Sequence, residues 1–194
     1  FLATPDLPPL LLVVLASIGI SFAACSAAVF NHIVDQKIDN EMHRTSSRPL
    51  PEGKISSKTA FIFGATLGVV GIGVLLIGVN VLTAVLTFFA LIGYAVFYTM
   101  YLKRATPKNI VVGGAAGAAP PLLGWAAITN SIELGALILF TIIFIWTPPH
   151  FWALAIHRQK EYAKVNIPML PVTHGAQFTR IQILLYTILL FIVT

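Results

Sequence analysis

The sequence predicts an all-α protein, a polytopic helical bundle in a membrane. Three observations lead there. Of 194 residues, 57% are hydrophobic and only 10% charged, whereas a soluble domain carries about 25% charge. Six apolar runs, at residues 10–30, 59–78, 81–101, 110–128, 134–156 and 176–193, are long enough to cross a bilayer as helices. The runs are continuous, without the alternation of a barrel strand. Residues 1–194 read as one transmembrane domain.

The charges set the topology. All 12 Lys and Arg residues lie in or beside three connections. The first holds Lys37, Arg44, Arg48, Lys54 and Lys58, the second Lys103, Arg104 and Lys108, the third Arg158, Lys160, Lys164 and Arg180. The connections near Asn80 and at 129–133 hold none. Six alternating spans put the three basic loops on one side, which the positive-inside rule makes the cytoplasm or its equivalent. A bacterial inner membrane or a mitochondrial inner membrane fits, with the basic loops on the cytoplasmic or matrix side. The net charge of +5 expresses this bias and gives no reason to expect a nucleic-acid partner. A single cysteine, Cys25, sits in an apolar run, which excludes a disulfide within the chain. The chain starts at Phe1 and stops at the end of an apolar run, so a preceding helix is expected.

The first run leads into a polar stretch in which Asn31, Asp35 and Asp39 recur every four residues. On a helix they share one face, each about 6 Å further along the axis. Two carboxylates and a carboxamide are hard oxygen ligands, and like charges at this spacing repel. A Mg²⁺ ion suits them, since it takes one or two carboxylates and completes its shell with water and phosphate oxygens. Arg44 and Arg48 follow, and Arg matches phosphate geometry. A solvated polar face capping a membrane helix is the competing reading.

The second run carries Gly64, Gly68, Gly71 and Gly73, small residues that let membrane helices approach closely. The third ends in Tyr94, Tyr98, Tyr101, Lys103 and Arg104. These form either an aromatic belt with snorkelling cations or, lying at the depth of Asp35 and Asp39, a set of phosphate ligands. In the fourth, Gly113, Gly114 and Gly117 suggest close packing, and Pro120-Pro121 predicts a kink with freed carbonyls. The fifth contains Trp146-Thr-Pro-Pro-His150-Phe-Trp152. A histidine at that depth is costly unless it meets a cavity or a partner; it serves an interfacial backbone bond, a flat aromatic ligand or iron. His157 and Glu161 are again four apart, and a shift of 122 residues lays Asp35 on His157 and Asp39 on Glu161. Two related halves around one polar site would produce that match.

The row Asn31-x-x-x-Asp35-x-x-x-Asp39, with Arg44 and Arg48-Pro-Leu-Pro, resembles the first aspartate-rich motif of the UbiA superfamily of intramembrane prenyltransferases. The blocks from Tyr98 to Ile110, Trp146 to Ala155 and Ile167 to Pro171 are similar to the protoheme IX farnesyltransferase (haem O synthase) branch. The resemblance implies a nine-span bundle around a central cavity, of which the second through seventh spans are present. It implies a Mg²⁺-dependent enzyme moving a farnesyl group from farnesyl diphosphate to a vinyl group of haem b, with the bilayer and a haem A synthase as further partners. Asp35 and Asp39 would be catalytic, and with Asn31 and Glu161 would hold the metal. Arg44, Arg48, Lys103, Arg104 and Arg158 would hold diphosphate. Tyr98, Tyr101, His150, Trp152 and His157 would line the haem or prenyl pocket. The superfamily's second motif is two aspartates four apart; His157 and Glu161 in those places favour the haem branch. Its rivals are a UbiA-type enzyme for a quinone or chlorin precursor, and a non-enzymatic haem carrier.

Overall fold

The computed structural model describes residues 1–5 and 7–194. Among them there is no strand, and six helices are long and apolar enough to span a bilayer. The chain is thus a multi-pass integral membrane protein, as its exposed apolar side chains require: Leu184, Leu185, Phe191 and Ile192 on the last helix would be insupportable in water.

Helix α1 covers Leu10–Glu41, 32 residues without a break. The first apolar run and the acidic row are therefore one rod, running past the predicted end at residue 30. Helix α2 (Ser57–Gly78) is capped by Ser56, whose hydroxyl accepts the Thr59 N–H at 3.1 Å. Helix α3 (Val81–Ile92) is capped by Asn80, whose Oδ1 accepts the Thr83 N–H at 2.8 Å. The Asn80 amide donates to the carbonyls of Ala126 and Ala127 at 3.0 and 3.3 Å. One side chain thus satisfies the start of one helix and the end of another.

The same span continues as a π-helix, Gly93–Leu102, and a last turn, α4 (Lys103–Ala105). Then come α5 (Asn109–Thr129), α6 (Leu134–His157), the short α7 (Gln159–Lys164) and α8 (Leu170–Val193). The proline pairs remove ladder donors in α5 and α6, yet both helices run through them. The expected break falls elsewhere, in α8 at Gly175, whose φ of 81° is open to glycine and strained for other residues.

Helices α1 and α2 are the most intimate pair. A methyl on Gly71 would lie 2.8 Å from the Gly19 carbonyl oxygen, and one on Gly68 2.9 Å from Ser26 Oγ. The Ser26 hydroxyl donates to the Gly64 carbonyl at 2.7 Å. Gly64, Gly68 and Gly71 thus face α1, while Gly73 meets nothing within 4 Å and takes no part. At the other end of the bundle Ile110, Trp152, Ala155, Ile167, Met169 and Leu170 form a buried cluster, joined by Ile38 of α1. Helix α7 is strapped beneath it. Lys164 donates to the Glu41 carbonyl at 3.3 Å, and Gln159 to the Pro171 carbonyl at 2.7 Å.

Candidate functional site

A cavity of about 500 Å³ opens between α1, the π-helix, α5, α6 and the segment that follows α7. Asn31, Asp35 and Asp39 line it together, as their four-residue spacing requires, and face Arg44, Arg48 and Lys103. The two carboxylates are deeply buried, 1% and 4% exposed. Each has a cation on it. Lys103 donates to Asp35 Oδ2, and Arg48 donates to Asp39 Oδ2 at 2.7 Å. Arg104 lies 3.6 Å from Asp35 Oδ1 and donates to the Val34 carbonyl at 3.3 Å. Asn31 donates to Thr99 Oγ1 at 3.2 Å, and that hydroxyl donates to the Tyr94 carbonyl at 2.8 Å.

The charges do not balance. Arg44, Arg48, Lys103 and the neighbouring Arg104 outnumber the two carboxylates, so the site carries an excess of positive charge. It also fits a hard divalent cation. Asp35 Oδ1 is buried without a hydrogen bond, and with Asp39 and the Asn31 amide it supplies the oxygen donors such an ion takes.

Position within an apolar helix decides the remaining residues. Tyr98 lines the cavity, with its ring against Gly113 and stacked at 5.3 Å on Tyr94. Tyr101 is 77% exposed, because a π-helix with i→i+5 bonds turns less per residue and carries it off the face of Tyr98. Trp152 is a core side chain, edge-to-face with Tyr186 at 5.3 Å. His150 is exposed and stacks at 4.3 Å on Trp146; the tryptophan, not the histidine, lines the cavity. Helix α6 runs unbroken through Pro148 and Pro149 beside it.

His157 ends α6 and is exposed, while Glu161 lies on α7. Arg158, with φ −106° and ψ 21°, breaks the helix between them, so their spacing does not place them on one face. Neither they nor Arg158 line the cavity, although Glu161 Oε2 is buried without a partner.

Several residues of the site were given no role from the sequence, Trp146 among them although it stands in the Trp146–Trp152 run. Thr99, Trp146 and Tyr162 shape the wall or hold its ligands. Asn109 is fully buried and donates to the Lys103 carbonyl at 3.0 Å, tying down the turn that presents that lysine. An asparagine at the head of an apolar helix was the available signal.

A second cavity, of about 310 Å³, is almost wholly apolar. Alanines 23, 24, 27 and 28 of α1 face Ala116 and Pro120 of α5 across it. Tyr94 and Gly117 line both cavities, so the apolar space adjoins the charged one.

The profile of the UbiA prenyltransferase family matches residues 1–194. The protoheme IX farnesyltransferase of Ruthia magnifica subsp. Calyptogena magnifica is 65% identical over all of this chain and 66% of its own length. That of Methylococcus capsulatus is 61% identical over 99% of this chain and 64% of its own. The chain therefore spans just under two thirds of these relatives. A UbiA homologue from Archaeoglobus fulgidus, solved with DMAPP and Mg²⁺, has the same fold at a TM-score of 0.77 and 16% identity, over 98% of this chain and 67% of that one.

Proposed function

The chain belongs to the UbiA prenyltransferase family, and from that premise we propose that it carries the diphosphate site of an enzyme moving a farnesyl group from farnesyl diphosphate to a vinyl group of haem b. The observation that carries this reading is the buried pair Asp35 and Asp39, ringed by cations at the mouth of an apolar cavity. The relatives' names supply the acceptor and the prenyl length, and the homologue bound to GPP and Mg²⁺ supports the metal. The acid row lies among the basic loops, which favours a site on the cytoplasmic side of a bacterial inner membrane or the matrix side of a mitochondrial one.

Asp35 and Asp39, with Asn31, would hold Mg²⁺, which neutralises charge on the departing pyrophosphate. Arg44, Arg48, Lys103 and Arg104 hold its remaining oxygens, and preorganised cations of this kind stabilise the charge that develops as the allylic C–O bond breaks. The allylic cation forms beside the stacked rings of Tyr94 and Tyr98, whose faces attract it. The vinyl carbon bonds to it, and water adds to the resulting haem-side cation with loss of a proton. The products are a hydroxyethylfarnesyl porphyrin and pyrophosphate. Haem b, farnesyl diphosphate and Mg²⁺ given to the complete protein in lipid should yield haem b heavier by one farnesyl group and one hydroxyl group. A quinone or chlorin precursor prenylated in place of haem would overturn the assignment.

The prenyl chain fits the alanine-lined cavity. An added Cβ at Gly117 meets nothing within 4 Å, so a larger side chain there enters the junction of the two cavities without a clash. Gly117→Leu should fold normally, raise KM for farnesyl diphosphate about tenfold, as a lost apolar subsite of ~1.4 kcal/mol would, and affect geranyl diphosphate less. Equal losses for both donors would place the chain elsewhere.

Asn109 is a positioning residue in this scheme. Removing its bond to the Lys103 carbonyl costs about 1 kcal/mol. Asn109→Ala should raise KM for the prenyl diphosphate roughly fivefold while KM for haem stays constant. Parallel changes in both would mark a structural role only.

A further inference from the structure

One oxygen of each carboxylate is already held by a cation. Lys103 sits on Asp35 Oδ2 and Arg48 on Asp39 Oδ2. Arg104 stands 3.6 Å from the remaining Asp35 oxygen. The Lys103 and Arg48 side chains are only 17% and 26% exposed, and the carboxylates 1% and 5%. Pairs this far from water are poorly screened and are costly to break unless each partner finds another.

A divalent cation arriving alone would have to share the carboxylates with Lys103 and Arg48, or displace them, in a pocket where cations already exceed carboxylates. A diphosphate arriving alone would draw those cations off and strand the carboxylates. The two together exchange partners: the cations pass to phosphate oxygens and the carboxylates to the metal. We propose that the Lys103–Asp35 and Arg48–Asp39 pairs form a latch that makes divalent-metal and prenyl-diphosphate binding mutually dependent. The proposal rests on the diphosphate reading of this cavity and adds an order to it. Neither ligand binds well by itself, and each raises the affinity of the other by the same factor.

Arg44 supplies the internal control. It lines the same cavity, is exposed, and makes no ion pair with either aspartate among the described residues. Arg44→Gln removes one positive charge without freeing an oxygen; Lys103→Gln removes one charge and frees Asp35.

The test is Mn²⁺ binding, read from the paramagnetic resonance signal of free Mn²⁺. It uses the complete protein in nanodiscs, with and without the unreactive thiolo analogue of farnesyl diphosphate. Wild type should bind Mn²⁺ at least tenfold more tightly with the analogue than alone, within the usual range of coupling. Lys103→Gln should bind Mn²⁺ alone several-fold more tightly than wild type, more so than Arg44→Gln, and show little further gain from the analogue. Arg48→Gln should repeat this through Asp39, should Lys103→Gln fail to fold. Mn²⁺ affinity in wild type that ignores the analogue overturns the latch, as does an equal gain in Lys103→Gln and Arg44→Gln, which would show only the pocket's general field. If wild type holds the analogue neither with nor without Mn²⁺, the diphosphate reading fails, and the latch with it.

Discussion

Asp39→Ala is expected to reduce farnesyl transfer by at least about 100-fold, the scale of losing one preorganised charge-stabilising group, and Asp35→Ala to do the same. Each change removes a hard oxygen ligand. Each also strips a cation of its partner, Arg48 in one case and Lys103 in the other. A cation left unpaired in a buried site costs about 3–5 kcal/mol, so part of the damage could fall on folding. Asp35→Asn and Asp39→Asn separate the two effects, since they keep the volume and a hydrogen-bond acceptor while removing the charge. Turnover should remain lost in both, with membrane insertion and thermal stability near wild type. Normal Mg²⁺-dependent product formation by a well-expressed Asp39→Ala protein would remove the acid row from the mechanism.

Gly71→Leu is expected to prevent α1 and α2 from packing. Even the first carbon of the new side chain falls 2.8 Å from the Gly19 carbonyl oxygen and 3.0 Å from the Ala23 nitrogen. Both are backbone atoms, which have no rotamer to change. Overpacking costs about 1–3 kcal/mol where side chains can shift, and more is expected where a whole helix must move. The purified protein should lose its monodisperse fraction at a much lower temperature than wild type. Gly73→Leu, two residues along the same helix with nothing within 4 Å, should match wild type or exceed it, since leucine is the better helix former. If the two variants melt alike, the α1–α2 approach is not what stabilises the bundle.

Hydropathy alone located the six spans to within a few residues at most ends, because a bilayer imposes both length and composition on a helix. The acid row was equally legible, since the four-residue spacing of Asn31, Asp35 and Asp39 becomes a spatial fact once a helix forms. What closes the site was harder. Lys103 reaches Asp35 from 68 positions away, and only the charge topology suggested that they share a depth. The aromatic wall was misjudged for a definable reason. A helix that is apolar all round gives no sign of which face turns inward. Tyr101 lies off the cavity through an unforeseen change of helical pitch, Trp152 packs in the core, and His150 sits exposed on a helix that runs through its prolines. His157 and Glu161 look like a second acidic pair only until the chain breaks at Arg158.

The unbroken length of α1 has a consequence for the membrane itself. Thirty-two residues make a rod of roughly 48 Å, against a hydrocarbon layer of about 30 Å. Gly19 and Gly71 hold the N-terminal half of the rod against α2, so the rod cannot slide independently. Asn31 lies roughly 32 Å along it from Leu10, where the acyl chains give way to headgroups. Asp35 and Asp39 lie roughly 38 and 44 Å along it, beyond a hydrocarbon layer of about 30 Å. A thicker bilayer is expected to bring the acid row nearer the acyl chains, and a thinner one to leave it further out. Acyl-chain length is thus expected to reach the site through the length of one helix.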